Sequence, residues 1–481
     1  MSPSISEKAS ADFIENESSQ EPRIDAEHNL NVDPAFAKRT MRRIDLHLLP
    51  ILAVLYSISL IDRVNISNAY VAGMARDLEL QIGTRYSLAT LIFFVPYIIF
   101  ELPSNILIRK IGAARWIGSI TFLWGSVMIG MAFVKNWWQL VVCRAILGVL
   151  EAGFFPACTY IISTWYIRRE VQKRMTGFYV VSVMISGFSS AMAGGIAELE
   201  GTSNMGGWQW IFLIFGLITV VGAVAAYLLV QDFPDKNTFL SPEQTSWVLA
   251  RIDADRSDAQ YDHWTMKKFW SYMVDPHLWS FAVLFGAVCT TTYAFAYFLP
   301  IILVQGMGYT TLDAQLLTAP PYVFAAIFSF SLAILSDKTG YRGPFIIFQS
   351  IVAIVGLCLT AFHTNNAVRY FGVFLGIGGG SANVASILGY LQNNTSGYSR
   401  RGFATAITIG GGGVGGIIAS TVFRSKDAPG YRPGLWVVIG AQLLIISTIC
   451  ANSFYYYTKN KAVREGRSDA IQGRPGFFYT F

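Results

Sequence analysis

Charged residues are scarce in this sequence. Only 14% of its 481 residues are Asp, Glu, Lys or Arg, whereas a soluble domain has about 25%. Histidine and cysteine each occur five times, and none of their spacings matches a metal or redox motif. No Gly-Lys-Ser/Thr sequence follows the glycine-rich runs at 376–380 and 409–418, which excludes a phosphate-binding loop. We therefore expect no enzyme activity, cofactor, metal or nucleic-acid partner.

Apolar residues are abundant instead and make up 53% of the chain. They recur in runs of about 20 residues, the length that crosses a lipid bilayer as an α-helix. Glycines inside such helices allow close helix contact and bending. The runs predict twelve transmembrane spans, at 46–68, 86–108, 115–134, 138–160, 175–197, 208–230, 277–299, 313–335, 344–363, 368–391, 402–423 and 434–457.

A longer polar segment separates the sixth run from the seventh and suggests two halves. A weak internal repeat supports this, because "VPYIIFELPSNILIRKIG" at 95–112 resembles "PPYVFAAIFSFSLAILSDKTG" at 320–340. The prediction is an all-α membrane protein with two pseudo-symmetric six-helix halves. Its divisions are a disordered cytoplasmic N-terminal tail at 1–40, the first half at 41–230, a cytoplasmic linker at 231–275, the second half at 276–458 and a cytoplasmic C-terminal tail at 459–481.

The distribution of Lys and Arg predicts the orientation. The loops after the second, fourth, eighth and tenth runs hold more of these residues than the loops on the opposite side. Loops rich in Lys and Arg stay in the cytoplasm. We therefore expect a multi-pass protein with both termini cytoplasmic, and we expect it in the plasma membrane as a monomer.

Four charged residues of the first half lie inside predicted spans: Asp62, Arg63, Arg144 and Glu151. A charge at mid-bilayer costs roughly 2.5–3.5 kcal/mol, so such residues usually have a function. Arg144 and Glu151 are seven residues apart and share one helix face, about 10 Å apart along the axis. Asp62 and Arg144 lie at similar predicted depths. We therefore expect one cavity that contains two guanidinium groups and two carboxyl groups.

The chemistry of these groups suggests a division of roles. The planar guanidinium of arginine matches a carboxylate, so Arg63 and Arg144 are predicted to bind an organic anion. A nearby arginine disfavours protonation of a carboxyl group, and a bound anion offsets that effect. Substrate binding and protonation of Asp62 or Glu151 would then favour each other, as proton symport requires. The alternative is that the four residues form internal ion pairs, such as Asp62 with Arg144, that fix helix packing.

Several other polar residues are weaker candidates. Glu101, in the second predicted span, and Asp337, at the end of the eighth, are interpreted as structural or gating pairs. Four uncharged residues could line the substrate pocket, or could serve only as packing residues or interface anchors: Tyr97, Tyr293, Tyr297 and Asn383.

Two segments resemble the major facilitator superfamily. "AILSDKTGYR" at 333–342 is similar to the loop signature that this superfamily carries between spans 8 and 9. The corresponding segment of the first half, "NILIRKIGAAR" at 105–115, is degenerate and has Arg109 where Asp is usual. The resemblance implies gating roles for Arg109, Asp337 and Arg342.

Three further motifs resemble the anion:cation symporter family, and within it the fungal allantoate and nicotinate permease branch. They are "LIDRVNISNA" in span 1, "FELPSN" in span 2 and "RAILGVLEAGFFPA" in span 4. The family implies import of small organic anions, such as nicotinate, allantoate or pantothenate, by proton-driven alternating access. By position, Asp62 and Glu151 would carry protons and Arg63 and Arg144 would contact the substrate.

The sequence therefore predicts a proton-coupled importer of a small organic anion. Two alternatives stay open at this point. The protein could export an acidic metabolite, or it could be a membrane receptor that retains the fold without transport.

Overall fold

A computed structural model describes residues 33–257, 265–424, 427–428, 430–468, 470–473 and 477–481, and these residues form helices and connecting turns without a strand. The main helices are α1 (Pro34–Ala69), α2 (Arg85–Leu91), α3 (Phe94–Ile111), α4 (Ala113–Met131), α5 (Trp137–Glu151), α6 (Phe154–Trp165), α7 (Arg168–Gly187), α8 (Ser189–Ala197), α9 (Gly207–Leu229), α10 (Pro242–Ser257), α11 (Met266–Met273), α12 (Pro276–Ile301), α13 (Thr311–Thr339), α14 (Gly343–Phe362), α15 (Asn366–Asn394), α16 (Tyr398–Val422) and α17 (Arg432–Arg464).

Each predicted span coincides with one long helix or with two helices in succession. In the described part of the chain, ten helical segments are long and apolar enough to cross a membrane. The predicted spans at 86–108 and 115–134 fall on α2, α3 and α4, which are not among those ten. Helix α3 includes Glu101 and Lys110, which lower its hydrophobicity.

The helices pack as two bundles that meet along two seams. In the first bundle, α1 packs against α7 and α9, and α9 also packs against α4. In the second, α12 packs against α16, and α14 packs against α15 and α17. The seams between the bundles are formed by α7 and α8 against α13, and by α2 and α3 against α16. This arrangement leaves the centre of the molecule bounded by helices of both bundles.

Parts of the predicted tails and linker are folded in the structure. Helix α1 begins at Pro34, within the predicted tail, and the linker contains α10 and α11. The last residues pack back onto the second bundle, where the Tyr479 ring stacks on Tyr456 with centroids 4.3 Å apart. The backbone N–H of Thr480 donates a hydrogen bond to the Asn394 side chain at 2.8 Å.

Glycines permit close contact between helices of the second bundle. A Cβ atom added at Gly415 of α16 would lie 2.2 Å from the carbonyl oxygen of Gly286 in α12. A real Cβ never approaches an oxygen that closely. With any side chain at position 415, α12 and α16 could not keep their present separation. Gly410 of the same helix has nothing within 4 Å of the corresponding position.

We predict that Gly415→Ala destabilises the protein, whereas Gly410→Ala does not. Forcing α12 and α16 apart should cost about 1–3 kcal/mol, the usual penalty for overpacking. Thermal unfolding of the purified variants in detergent measures the difference. Equal melting temperatures for the two variants would contradict the close contact.

Candidate functional site

A cavity lies between the two bundles at the centre of the molecule. It encloses about 1030 Å³ of empty space, including space open to solvent. Helices α1, α7 and α8 of the first bundle and α12, α13 and α15 of the second contribute its walls. Among the described residues that line it, Arg63 is the one with a charged side chain. An anion that enters the cavity therefore meets a single guanidinium group.

Arg63 is held by groups from both bundles. Its Nε donates to Glu151 Oε1 at 3.1 Å, and its second terminal nitrogen also pairs with that oxygen. Its first terminal nitrogen donates to the Tyr293 hydroxyl of α12 at 2.8 Å. The guanidinium carbon lies 5.1 Å from the ring centroids of both Phe93 and Tyr97. These aromatic faces stabilise the cation through their quadrupoles and orient the guanidinium group.

Glu151 is the last residue of α5 and is 1% exposed. Its Oε1 accepts the bonds from Arg63 and another from the Ser59 hydroxyl at 2.6 Å. Its Oε2 has no hydrogen-bond partner within the described part of the chain. The carboxyl group thus has one fully engaged oxygen and one oxygen free to hold a proton.

Asp62 is adjacent to Arg63 in sequence but faces another side of α1. Its Oδ2 accepts a hydrogen bond from Trp124 Nε1 at 3.1 Å and one from the Thr219 hydroxyl at 2.7 Å. It does not line the cavity. Instead of an ion pair between Asp62 and Arg144, the structure contains one between Arg63 and Glu151.

Arg144 is fully buried and connects α5 to two other helices. Its Nε donates to the carbonyl of Ala89 at 3.4 Å, and a terminal nitrogen donates to the backbone carbonyl of Arg63 at 3.3 Å. Its guanidinium carbon lies 5.1 Å from the Phe93 ring, which also contacts Arg63. Arg144 does not line the cavity. The structure thus brings one of the four predicted charges to the cavity wall and places a second, Glu151, directly behind it.

Of the four uncharged candidates, one lines the cavity, two contact residues that line it and one lies away from it. Tyr293 lines the cavity, and Tyr297 stacks on it with centroids 5.9 Å apart and planes 13° apart. Tyr97 lies beneath the Arg63 guanidinium. Asn383 is buried away from the cavity, where its amide donates to the Ser350 hydroxyl at 2.9 Å.

Two of the predicted gating residues, Glu101 and Arg342, are not among the residues that line the cavity. Glu101 is half-buried on α3. Arg342 precedes α14, and its guanidinium group lies so close to Gly389 of α15 that a Cβ atom there would be 1.6 Å from a guanidinium nitrogen. The side chains of Arg109 and Asp337 are outside the described residues.

The sequence profile of the Major Facilitator Superfamily matches residues 52–420. The chain belongs to this superfamily. It is 30% identical over 437 residues to an uncharacterized transporter of Schizosaccharomyces pombe, a match that covers 91% of this chain and 90% of the relative. It is also 30% identical over 425 residues to the high-affinity nicotinic acid transporter of Saccharomyces cerevisiae, with 88% of this chain and 78% of the relative covered.

Solved structures of the Major Facilitator Superfamily have the same fold. A bacterial homolog of the human lysosomal transporter Spinster, in an inward-facing conformation, matches with a TM-score of 0.64 at 14% identity over 87% of this chain and 96% of its own. The Escherichia coli xylose transporter XylE matches with a TM-score of 0.64 at 13% identity, covering 85% and 99%. The predicted fold is confirmed, and so is the prediction of a multi-pass membrane transporter rather than an enzyme.

In this Major Facilitator Superfamily transporter, the two bundles are also joined beyond Arg63, toward the predicted outer side. The Tyr86 hydroxyl donates to the carbonyl of Tyr297 at 3.0 Å. The Gln315 amide donates to the carbonyl of Asn68 at 3.2 Å. These bonds join helix ends that the Lys and Arg distribution predicts to lie at the outer face, and they connect the two bundles there.

Sequence reasoning missed three side chains that hold the charged residues. Trp124 and Thr219 bind Asp62, and Ser59 binds Glu151. Ser59 precedes Arg63 by four residues and shares its helix face, so this spacing was a usable signal. Trp124 and Thr219 come from α4 and α9, and nothing in their local sequence points to a distant aspartate.

Proposed function

We propose that this transporter imports a small organic monocarboxylate together with a proton, by alternating access. The observation that carries the proposal is the pairing of Arg63, on the cavity wall, with the buried Glu151. A carboxylate substrate and Glu151 would use the same guanidinium group. Their competition for this guanidinium group couples binding of the substrate to protonation of Glu151.

The coupling follows from charge balance. While Glu151 is ionised, the guanidinium group is already neutralised, and an entering anion would add an unpaired negative charge to a low-dielectric site. A proton on Glu151 removes its charge and frees Arg63 for the substrate. Binding of the anion and binding of the proton therefore favour each other, with one proton for each negative charge of the substrate.

Asp62 is retained in the proposal as a second protonatable carboxyl group. Its hydrogen-bond partners, Trp124 and Thr219, are neutral, so in the described part of the chain no arginine binds its carboxyl group directly. We assign Arg144 a positioning role, because it binds the backbone of Arg63 and not the cavity. Tyr97 and Tyr297 support Arg63 and Tyr293 through ring contacts.

The substrate class is supported by the similarity to a nicotinic acid transporter and by Arg63, the one cation among the described residues of the cavity wall. We place the protein in the plasma membrane, and its loop charges favour an orientation with both termini in the cytoplasm. In that orientation the proton gradient favours import.

Reconstitution into proteoliposomes tests this function. Labelled nicotinate and other small acids are offered with an imposed pH gradient of either direction. We expect accumulation when the side facing the substrate is acidic, and loss of accumulation when a protonophore collapses the gradient. Movement of substrate only in the direction opposite to proton flow would favour an exporter. Binding of substrate without flux would favour a receptor.

A further inference from the structure

We propose that Gln315 is a latch on the outer seam, where the start of α13 meets α8 and the end of α1, and that it sets how readily this seam opens. The Gln315 side chain belongs to the second bundle but lies between Asn68 of α1 and Gly194 of α8 in the first. The inference rests on the proposed function and extends it, because an imported substrate would enter the cavity from this side.

The position of Gln315 follows from the start of α13. This helix begins at Thr311, at the end that the loop charges predict to lie outside, and it packs against α8. Leu312 and Gln315 are three residues apart and share one helix face. A Cβ atom added at Gly194 would lie 3.3 Å from Leu312 Cδ1 and 3.2 Å from Gln315 Oε1. Because Gly194 has no side chain, α8 leaves the space that Gln315 occupies.

The two ends of the Gln315 amide have opposite effects on the seam. The Nε2 atom donates to the carbonyl of Asn68 at 3.2 Å, and this bond joins the two bundles. The Oε1 atom has no hydrogen-bond partner among the described residues, although Gln315 is fully buried. A buried polar atom without a partner is costly, and water would supply the partner once the seam opened. The nitrogen thus holds the seam closed, and the oxygen favours opening.

Two nearby bonds between the bundles are weak enough to break and re-form. The Thr311 hydroxyl donates to the carbonyl of Val71 at 3.4 Å. The Ser67 hydroxyl donates to the carbonyl of Ala296 at 3.1 Å. Each bond joins a neutral side chain to a backbone carbonyl, and one such bond changes an equilibrium by only about twofold to tenfold. A single additional buried amide is therefore enough to shift the balance between the closed and the open seam.

Gln315→Leu is expected to favour the closed seam. Leucine is similar in size, needs no hydrogen bond when buried and would meet water when the seam opens, so we expect the ratio of closed to open molecules to rise about threefold to tenfold. Gln442→Leu is the matched control and should leave the ratio unchanged. Gln442 is also fully buried, and its Oε1 has no partner within the described ranges. Its Nε2 donates to the Thr291 hydroxyl at 2.7 Å, but both residues belong to the second bundle.

Gly194→Ala is expected to have the opposite effect. The added methyl group would press on Gln315 and Leu312, so α8 and α13 would have to separate slightly in the closed state. We expect the ratio of closed to open molecules to fall about threefold to tenfold. Gly195→Ala is the matched control, because a Cβ atom at this neighbouring glycine has nothing within 4 Å. Opposite shifts from the two sides of one contact could not arise from a general loss of stability.

The distance between two spin labels measures this ratio without a substrate. Labels attached at Glu200→Cys and Thr364→Cys would report on the two bundles, because these exposed residues follow α8 and α14 at the predicted outer end. The native cysteines that are not buried, Cys143, Cys358 and Cys450, are replaced by alanine. Double electron–electron resonance on the full-length protein in lipid nanodiscs then gives the populations with a short and with a long distance.

The outcomes separate the latch from the proposed function. Unchanged populations in Gln315→Leu and Gly194→Ala would overturn the latch, and so would shifts of equal size in the two controls. If Gln315→Leu does not fold, the comparison of Gly194→Ala with Gly195→Ala still decides. The label distances require no transport, so failure of the latch leaves the proposed function standing. Absence of proton-driven transport by the wild-type protein would instead refute the proposed function.

Discussion

Arg63→Ala is expected to abolish measurable binding of carboxylate substrates. The change removes the one positive charge among the described residues that line the cavity. It also leaves Glu151 buried without its ion-pair partner. Loss of one member of a buried, hydrogen-bonded charge pair costs about 2–5 kcal/mol, or roughly 30-fold to 4,000-fold in affinity. A thermal-shift titration with nicotinate and related acids measures the loss.

Two further variants make that result specific. Arg63→Lys keeps the charge but loses the planar fork, so we expect binding weaker than in the wild type and stronger than in Arg63→Ala. Arg85→Ala removes a partly exposed arginine that pairs with Glu79, and we expect no change. Unaltered affinity in Arg63→Ala would refute the role of this residue as the anion site.

Glu151→Gln is expected to separate transport from the pH gradient. The amide is close in shape to the protonated acid but cannot release a proton, so Arg63 stays available to the substrate at every pH. Counterflow exchange of substrate across proteoliposomes should persist, whereas accumulation driven by a pH gradient should disappear. The pH dependence of substrate affinity should flatten as well.

The same measurements on Asp62→Asn show which carboxyl group carries the coupled proton. Glu151 is in contact with Arg63, whereas the hydrogen-bond partners of Asp62 are Trp124 and Thr219. We therefore expect Asp62→Asn to retain accumulation driven by the gradient. If Asp62→Asn lost accumulation driven by the pH gradient and Glu151→Gln retained it, our assignment of the coupled proton would be reversed.

The spans and the charged residues were predictable, because both depend on local composition. A run of about 20 apolar residues has to form a helix in lipid, and the charges of α1 and α5 stand out against such runs. The faces on which these charges lie were harder to predict. Asp62 and Arg63 are neighbours, and neighbours on a helix point about 100° apart, so only one of them reaches the cavity.

The predicted cavity with four charged groups differs from the observed one for the same reason. Arg144 was placed at the depth of Asp62 from residue counts, which describe height along a helix but not its rotation. In the structure Arg144 binds carbonyls of α1 and α2. Asn383 shares a helix with the cavity residue Ser381, yet it faces α14.

The amino-acid sequence alone determined that this chain is a helical membrane transporter and that its first half holds ionisable groups in apolar surroundings, since hydrophobic length and the energetic cost of buried charge are local properties. Only the tertiary structure decided that Arg63 lines the cavity with Glu151 behind it, and that Tyr293 of the other bundle binds Arg63. Those contacts join helices far apart in the chain, and they depend on how each helix is rotated and packed.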